Sequence, residues 1–161
     1  MEQNSRTFSF EFFPPKTTLG LEKLIKIAQE FETIPAEYFS VPFGAGGSTQ
    51  QGTLDACESL FDNTKIPIAP HISGVGSDRE SLSTILNKYK DKGLKKLVVL
   101  RGDLPSGYGA IGDFPYAVNL IDFVNKEFNE YFEIEVGAYP ETHPEAISAE
   151  QDLIYFCEKM S

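Results

Sequence analysis

Lys96-Leu97-Val98-Val99-Leu100-Arg101-Gly102-Asp103 is the stretch on which the fold turns. Its first five residues form a continuous apolar run, which suits a parallel strand buried on both faces. Upstream, Leu82, Ile85, Leu86 and Tyr89 fall at helical spacing, with Asp78 as the N-cap and Gly93 as the stop. Downstream, Pro115 opens a helix with Val118, Ile121 and Val124 or Phe128 inside. The same strand-then-helix unit repeats in both directions. Thr7–Phe13 precedes the stripe Leu21, Leu24, Ile25, Ala28 and Phe31, and Tyr38–Val41 precedes a weaker helix over Thr53–Phe61. Ile66–Ile72 is the third strand, Glu133–Tyr139 the fifth, and Pro144–Lys159 the fifth helix.

Five βα units in succession predict an α/β fold with a parallel sheet, because each helix carries the chain back for the next strand. Strand starts near 7, 38, 66, 96 and 133 step by about thirty residues. That is the period of a (β/α)8 TIM barrel, whose eight units take ~250 residues. Two architectures stay open: a five-stranded doubly wound sheet, or a partial barrel made of the first units of a longer one. The last helix ends at Glu158-Lys159-Met160-Ser161 without a capping glycine, as a chain cut within a barrel would. Residues 1–161 read as a single domain.

Composition removes several classes of function. The 161 residues are 41% apolar and 24% charged, enough for one core. No run of ~18 apolar residues is present to span a membrane, and Met1–Arg6 is polar, unlike a secretory signal. Cys57 and Cys157 are the only cysteines, so a disulfide framework is excluded and a reducing, cytoplasmic setting is expected. His71 and His143 lack partners at metal-ligand spacing, so no metal is expected. Net charge is −10, and the densest cationic cluster, Lys88–Lys96, is broken by Asp91 and reads as a solvated helix end. No nucleic-acid surface is expected.

In parallel α/β folds, ligands bind at the carboxyl ends of the strands. The unusual residues of this chain gather there: Glu11, the Gly44–Gly47 loop, His71, Arg101 with Asp103, and Tyr139 to His143. Alternation sets Phe8, Phe10 and Phe12 toward the helices and Ser9, Glu11 and Phe13 toward the other side. A carboxylate inside a barrel loses solvation, which raises its pKa and suits a general acid; a strand-end glutamate paired with Lys16 is the alternative. Arg101 can present a guanidinium to phosphate, or form a surface ion pair with Asp103. Gly107-Tyr108-Gly109-Ala110-Ile111-Gly112 matches the dinucleotide fingerprint in letters only. Pro105 and Ser106 separate it from the strand, and the helical pattern resumes only after Pro115, so it reads as a loop.

Five segments together resemble the catalytic domain of the methylenetetrahydrofolate reductase family. They are Ser9-Phe10-Glu11-Phe12-Phe13-Pro14-Pro15-Lys16-Thr17, Phe43-Gly44-Ala45-Gly46-Gly47-Ser48-Thr49, Ala69-Pro70-His71, Leu100-Arg101-Gly102-Asp103-Leu104-Pro105, and Ala138-Tyr139-Pro140-Glu141-Thr142-His143-Pro144-Glu145-Ala146. They occur in family order and touch all five units. The family domain is a (β/α)8 barrel of nearly twice this length, so the chain is similar to its first five-eighths.

The resemblance implies an FAD enzyme of one-carbon metabolism. NADH or NADPH reduces the flavin, which passes hydride to 5,10-methylenetetrahydrofolate and gives 5-methyltetrahydrofolate. Glu11 falls on the general acid that protonates folate N10, and Asp103 on the acid that contacts the pterin. FAD contacts are implied at Phe43, Ala45, His71, Arg101, Gly102, Asp103, Ala117, Tyr139, His143, Ala146, Asp152 and Lys159. The family's threonine before Phe43 is Pro42 here, which removes a hydroxyl contact to nicotinamide. A small-molecule folate substrate and a homo-oligomer are also implied. Strands six to eight have no counterpart, so two sheet edges and an apolar interior are expected to be open. Two further readings stand beside this one: a non-catalytic flavin- or folate-binding half-barrel completed by another chain, and a doubly wound nucleotide-binding module.

Overall fold

The computed structural model describes residues 7–43, 50–102, 112–139, 141–143 and 146–160. Strands and helices alternate: β1 (Ser9–Glu11), α1 (Thr18–Phe31), β2 (Tyr38–Val41), α2 (Gln50–Asn63), β3 (Ile68–Ser73), α3 (Arg79–Lys92), β4 (Lys96–Leu100), α4 (Ala117–Phe128), β5 (Glu133–Val136) and α5 (Ala149–Met160). All four neighbouring pairs are parallel, and the sheet runs β1-β2-β3-β4-β5. That order decides between the two open architectures. A doubly wound sheet reverses at a switch point, whereas here each strand adds beside the last, as in a barrel wall. The fold is a partial TIM-barrel arrangement.

Local signals explain where the elements begin and end. The Thr17 hydroxyl accepts the Gly20 N–H at 3.1 Å and starts α1. The Asp78 carboxylate accepts the Ser81 N–H at 2.8 Å, and this bond holds its pKa below the ordinary value. Lys90 and Lys92 fill the last turn of α3, and Gly93 closes it at φ 91°. β1 is shorter than the expected Thr7–Phe13, since it is paired on one side only and runs into Pro14 and Pro15. The fifth helix starts at Ala149 rather than Pro144, because the Ser148 hydroxyl accepts the Gln151 N–H at 3.1 Å and caps the turn there.

Right-handed crossovers place successive helices on one face of such a sheet, and the burial follows. Phe39, Val41, Ile68, Ile72, Leu97 and Val99 pack into one core with Leu24, Ala28, Leu54, Leu86, Leu120 and Val124. Phe10 and Phe12 meet Phe31 and Phe39 edge-on, with closest ring centroids at 4.7 and 5.0 Å. Burying a side chain such as Leu97 contributes roughly 1.5–3 kcal/mol. Among the described residues, no helix is long and apolar enough to cross a membrane.

The other face corrects two expectations. β4 is buried on one face only: Leu97 and Val99 are buried, while Lys96, Val98 and Leu100 are half-buried. The inner face is also more polar than expected. The register sets Glu11 beside Ser40, His71 beside Val98, and Lys96 and Val98 beside Glu133 and Glu135. At its amino end the Lys96 ammonium lies 2.9 Å from Glu133, 3.0 Å from Glu135 and 3.8 Å from Glu37. Partial burial pulls the Lys96 pKa down, but the bonds to Glu133 and Glu135 outweigh it and leave the pKa above its ordinary value. A raised lysine pKa stabilises the fold at neutral pH, and the contribution is lost as pH rises through the folded-state value.

One-sided burial has a direct test. Leu97→Ala should cost roughly 2–5 kcal/mol by chemical denaturation, and Val98→Ala less than about 1 kcal/mol. Equal losses would mean that both faces are sealed. Lys96→Met should lower the melting temperature at pH 7, and the deficit should shrink at high pH, where the lysine of the parent protein loses its proton. A deficit independent of pH would show that the loss is one of packing.

Candidate active site

Glu11 is the last residue of β1, and alternation turns it to the inner face while Phe10 and Phe12 go to the core. Its carboxylate Oε2 lies 3.5 Å from His71 Nε2 on β3. β2 lies between the two strands, and the inward residue level with Glu11 is the small, buried Ser40. Two parallel strand spacings make about 10 Å of backbone separation. On β3 the residue level with Ser40 is Ala69, so the glutamate and the histidine, two positions further along β3, meet on a diagonal across the inner face. The expected loss of solvation at Glu11 is not observed, since its side chain is 45% exposed. The alternative partner, Lys16, forms no ion pair with it. His71 is the desolvated member of the pair at 11% side-chain exposure, and burial lowers its pKa to about 4. The imidazole is therefore neutral near pH 7.

The next group joins the ends of β3 and β4. The Ser73 hydroxyl donates to the Arg101 carbonyl at 3.0 Å, and the Val75 N–H donates to the same oxygen at 2.8 Å. Arg101 Nε donates to the Gly102 carbonyl at 3.3 Å. Gly102 sits at φ 85°, and a Cβ there would overlap the Ser73 hydroxyl. Only glycine fits at this turn. Of the Gly107–Gly112 loop, the described residues include Gly112 alone, and the expected site residues Asp103 and Ala45 also lie outside them.

A third group forms on β5 and α5. Tyr139 and His143 meet edge-on at 4.6 Å between ring centroids, and the Asp152 carboxylate accepts the His143 backbone N–H at 2.8 Å. Lys159 Nζ donates to the Gly137 carbonyl at 2.9 Å, tying the end of α5 to the end of β5. Ala146 is half-buried in the loop before α5, not on the helix as expected. Phe43 is half-buried just past β2. Pro42 is buried there, and its carbonyl accepts the Thr53 hydroxyl at 3.2 Å. Ala117 is the first residue of α4. The chain thus brings together Glu11 with His71, Arg101 with Gly102, Tyr139 with His143 and Asp152, and Lys159 with Gly137. Sequence reasoning missed Ser40, Ser73 and the Lys96 cluster. For Lys96 the signal was present in the alternation Glu133-Ile134-Glu135-Val136, which announces a polar inner face.

Two other places do not compete as reactive centres. Burial, and secondarily Glu58, pushes the Cys57 thiol far up, so it stays protonated and inert. A cleft of about 260 Å³ between α2 and α3 is lined by Gln50, Gln51, Leu54, Thr84, Ile85 and Lys88. It opens between two helices and brings no acid–base pair together. No cluster suited to a metal ion occurs among the described residues.

The fold and the site together define a chain of the barrel-winding βα class, with an acid–imidazole pair at the carboxyl ends of its strands. The family model for methylenetetrahydrofolate reductase matches residues 1–161. The 5,10-methylenetetrahydrofolate reductase of Salmonella typhimurium is 35% identical over 158 residues, covering 98% of this chain and 52% of the relative. That of Pectobacterium carotovorum is 37% identical over 152 residues, covering 94% and 50%. Methylenetetrahydrofolate reductase (NADH) 1 of Arabidopsis thaliana is 31% identical over 172 residues, covering 99% and 29%. The chain belongs to the methylenetetrahydrofolate reductase family, and it spans about half the length of the bacterial relatives it matches.

The buried neutral imidazole fixes a pH response. The unfolded chain binds a proton at His71 near pH 6.5 and the folded chain only near 4, so stability should fall as pH drops through that window. His71→Gln should flatten this part of the stability–pH curve measured by denaturant titration. An unchanged slope would show that the imidazole is solvated in the folded state.

Proposed function

We propose that the protein reduces 5,10-methylenetetrahydrofolate to 5-methyltetrahydrofolate, with FAD as bound hydride carrier and NADH or NADPH as reductant. The observation that carries this reading is Glu11, an acid at a barrel-strand end, half open to a ligand and backed by a neutral imidazole. Family membership supplies the substrate class. The name of the Arabidopsis relative specifies NADH.

The residues present suit a long, anionic, aromatic cofactor. Gly102 leaves room for close backbone approach, Tyr139 offers an exposed ring beside His143, and Lys159 brings a cation to the same end of the sheet. Phe43, Ala45, His71, Arg101, Gly102, Asp103, Ala117, Tyr139, His143, Ala146, Asp152 and Lys159 are the residues we assign to hold it. When bound, FAD supplies the hydride that no side chain can carry. Glu11 protonates N10 of the folate, the N10–carbon bond breaks, and the resulting 5-iminium cation becomes the hydride acceptor. Asp103 is assigned to the pterin, where its charge favours that cation. Exposure of Glu11 lets solvent return the proton after each turnover.

The same reading carries a cytoplasmic homo-oligomer with no nucleic-acid or membrane partner. The net charge of −10 disfavours a nucleic-acid surface, and the two free cysteines, one buried and one exposed, suit a reducing compartment.

Glu11→Gln in the full-length, FAD-loaded protein should keep flavin reduction by NADH or NADPH and lose folate reduction by ~10²-fold or more. Protonating N10 needs an acid; hydride transfer from nicotinamide does not. An equal fall in both half-reactions, measured by stopped-flow absorbance, would place the acid elsewhere.

A further inference from the structure

We propose that His71 is the positioning residue of Glu11: its imidazole donates Nε2–H to Oε2 of the carboxyl group across β2, leaving the other oxygen to face the substrate. The consequence for turnover rests on the folate reading above; the pair itself does not. Among the described residues, Glu11 is the polar group set against this imidazole at 3.5 Å, and no ion pair or hydrogen bond gives His71 another partner there. That separation is just beyond an ordinary hydrogen bond, and such contacts tighten when a site closes on its ligand. The side-chain exposures, 11% for His71 and 45% for Glu11, describe a fixed donor beneath a reachable acid.

The division of labour follows from the chemistry of the two groups. A neutral imidazole carries one N–H and one bare nitrogen. With Nε2 protonated and turned to Oε2, the acidic proton of Glu11 resides on Oε1. When that proton passes to the substrate nitrogen, the N–H of His71 already faces the carboxylate that forms. His71 therefore favours the ionised product of the step without taking up charge, and Nδ1 stays available to a bound group. The other ionisable groups on the surrounding elements are Lys16 after β1, Tyr38 at the start of β2, Lys96, Glu133 and Glu135 on β4 and β5, and Arg101 past β4. No ion pair joins any of them to Glu11 or His71 among the described residues.

Two measurements test this. The chain has only two histidines, so the imidazole ¹⁵N–¹H spectrum of the ligand-free protein resolves each ring. Glu11→Gln should shift the His71 Nε2 resonance and leave His143 in place; an unmoved His71 resonance overturns the pair, whatever the activity. In the FAD-loaded full chain, removing the N–H donor with His71→Leu should slow folate reduction about tenfold while flavin reduction by NADH or NADPH continues, and His71→Gln, whose amide can donate, should restore most of the rate. Equal rate losses in the two variants would reduce His71 to a packing residue and overturn the proposal. Spectral coupling in a wild-type chain that cannot reduce the folate would instead overturn the functional reading while the pair stands.

Discussion

Everything in this molecule depends on parallel pairing of the strands in sequence order. Because β1 to β5 add one beside the next, the helices share one face, and one face of the sheet takes the aliphatic core. The other face is then free to be polar. Its amino end is closed by Lys96 among Glu37, Glu133 and Glu135, while its carboxyl end carries Glu11 and His71. Chemistry and charge neutralisation occupy opposite ends of the same inner face, and the core that holds them lies wholly outside.

The five βα units were legible because each carries its own punctuation. Asp78 and Gly93 bracket α3 as the capping rules require, and β2 and β4 have the bounds that the apolar runs announce. Strand order was not legible. Doubly wound and singly wound sheets use the same βα unit, and the difference lies in which neighbour each strand chooses, a long-range choice without a local signature. Burial of β4 was misread for a related reason. Lys96-Leu97-Val98-Val99-Leu100 looks uniformly apolar, but only Leu97 and Val99 face helices. The partner strand held the missing information, since Glu133 and Glu135 alternate with Ile134 and Val136 and face Lys96 and Val98.

The candidate site shows the same split between local and non-local information. Glu11 was legible as an inward acid from the alternation of Phe10, Glu11 and Phe12. Its solvation was not, because exposure depends on what the opposite wall supplies. Its partner was equally hidden: Glu11 and His71 lie sixty positions apart and meet diagonally over the strand between. Gly102 is the converse case. Its place in a family-like segment was visible, while its physical necessity became clear only once Ser73 was seen to fill the space its Cβ would take.

The most direct test is hydrogen exchange by mass spectrometry on the full chain, with and without FAD, beside the flavin absorbance of the purified protein. If the strand ends of the inner face form the site, FAD binding should slow exchange in peptides covering residues 68–75, 96–102 and 137–143. The outer cleft between α2 and α3, around Gln50, Thr84 and Lys88, should exchange as before. Protection confined to that cleft, with the three strand ends unchanged, would contradict the account.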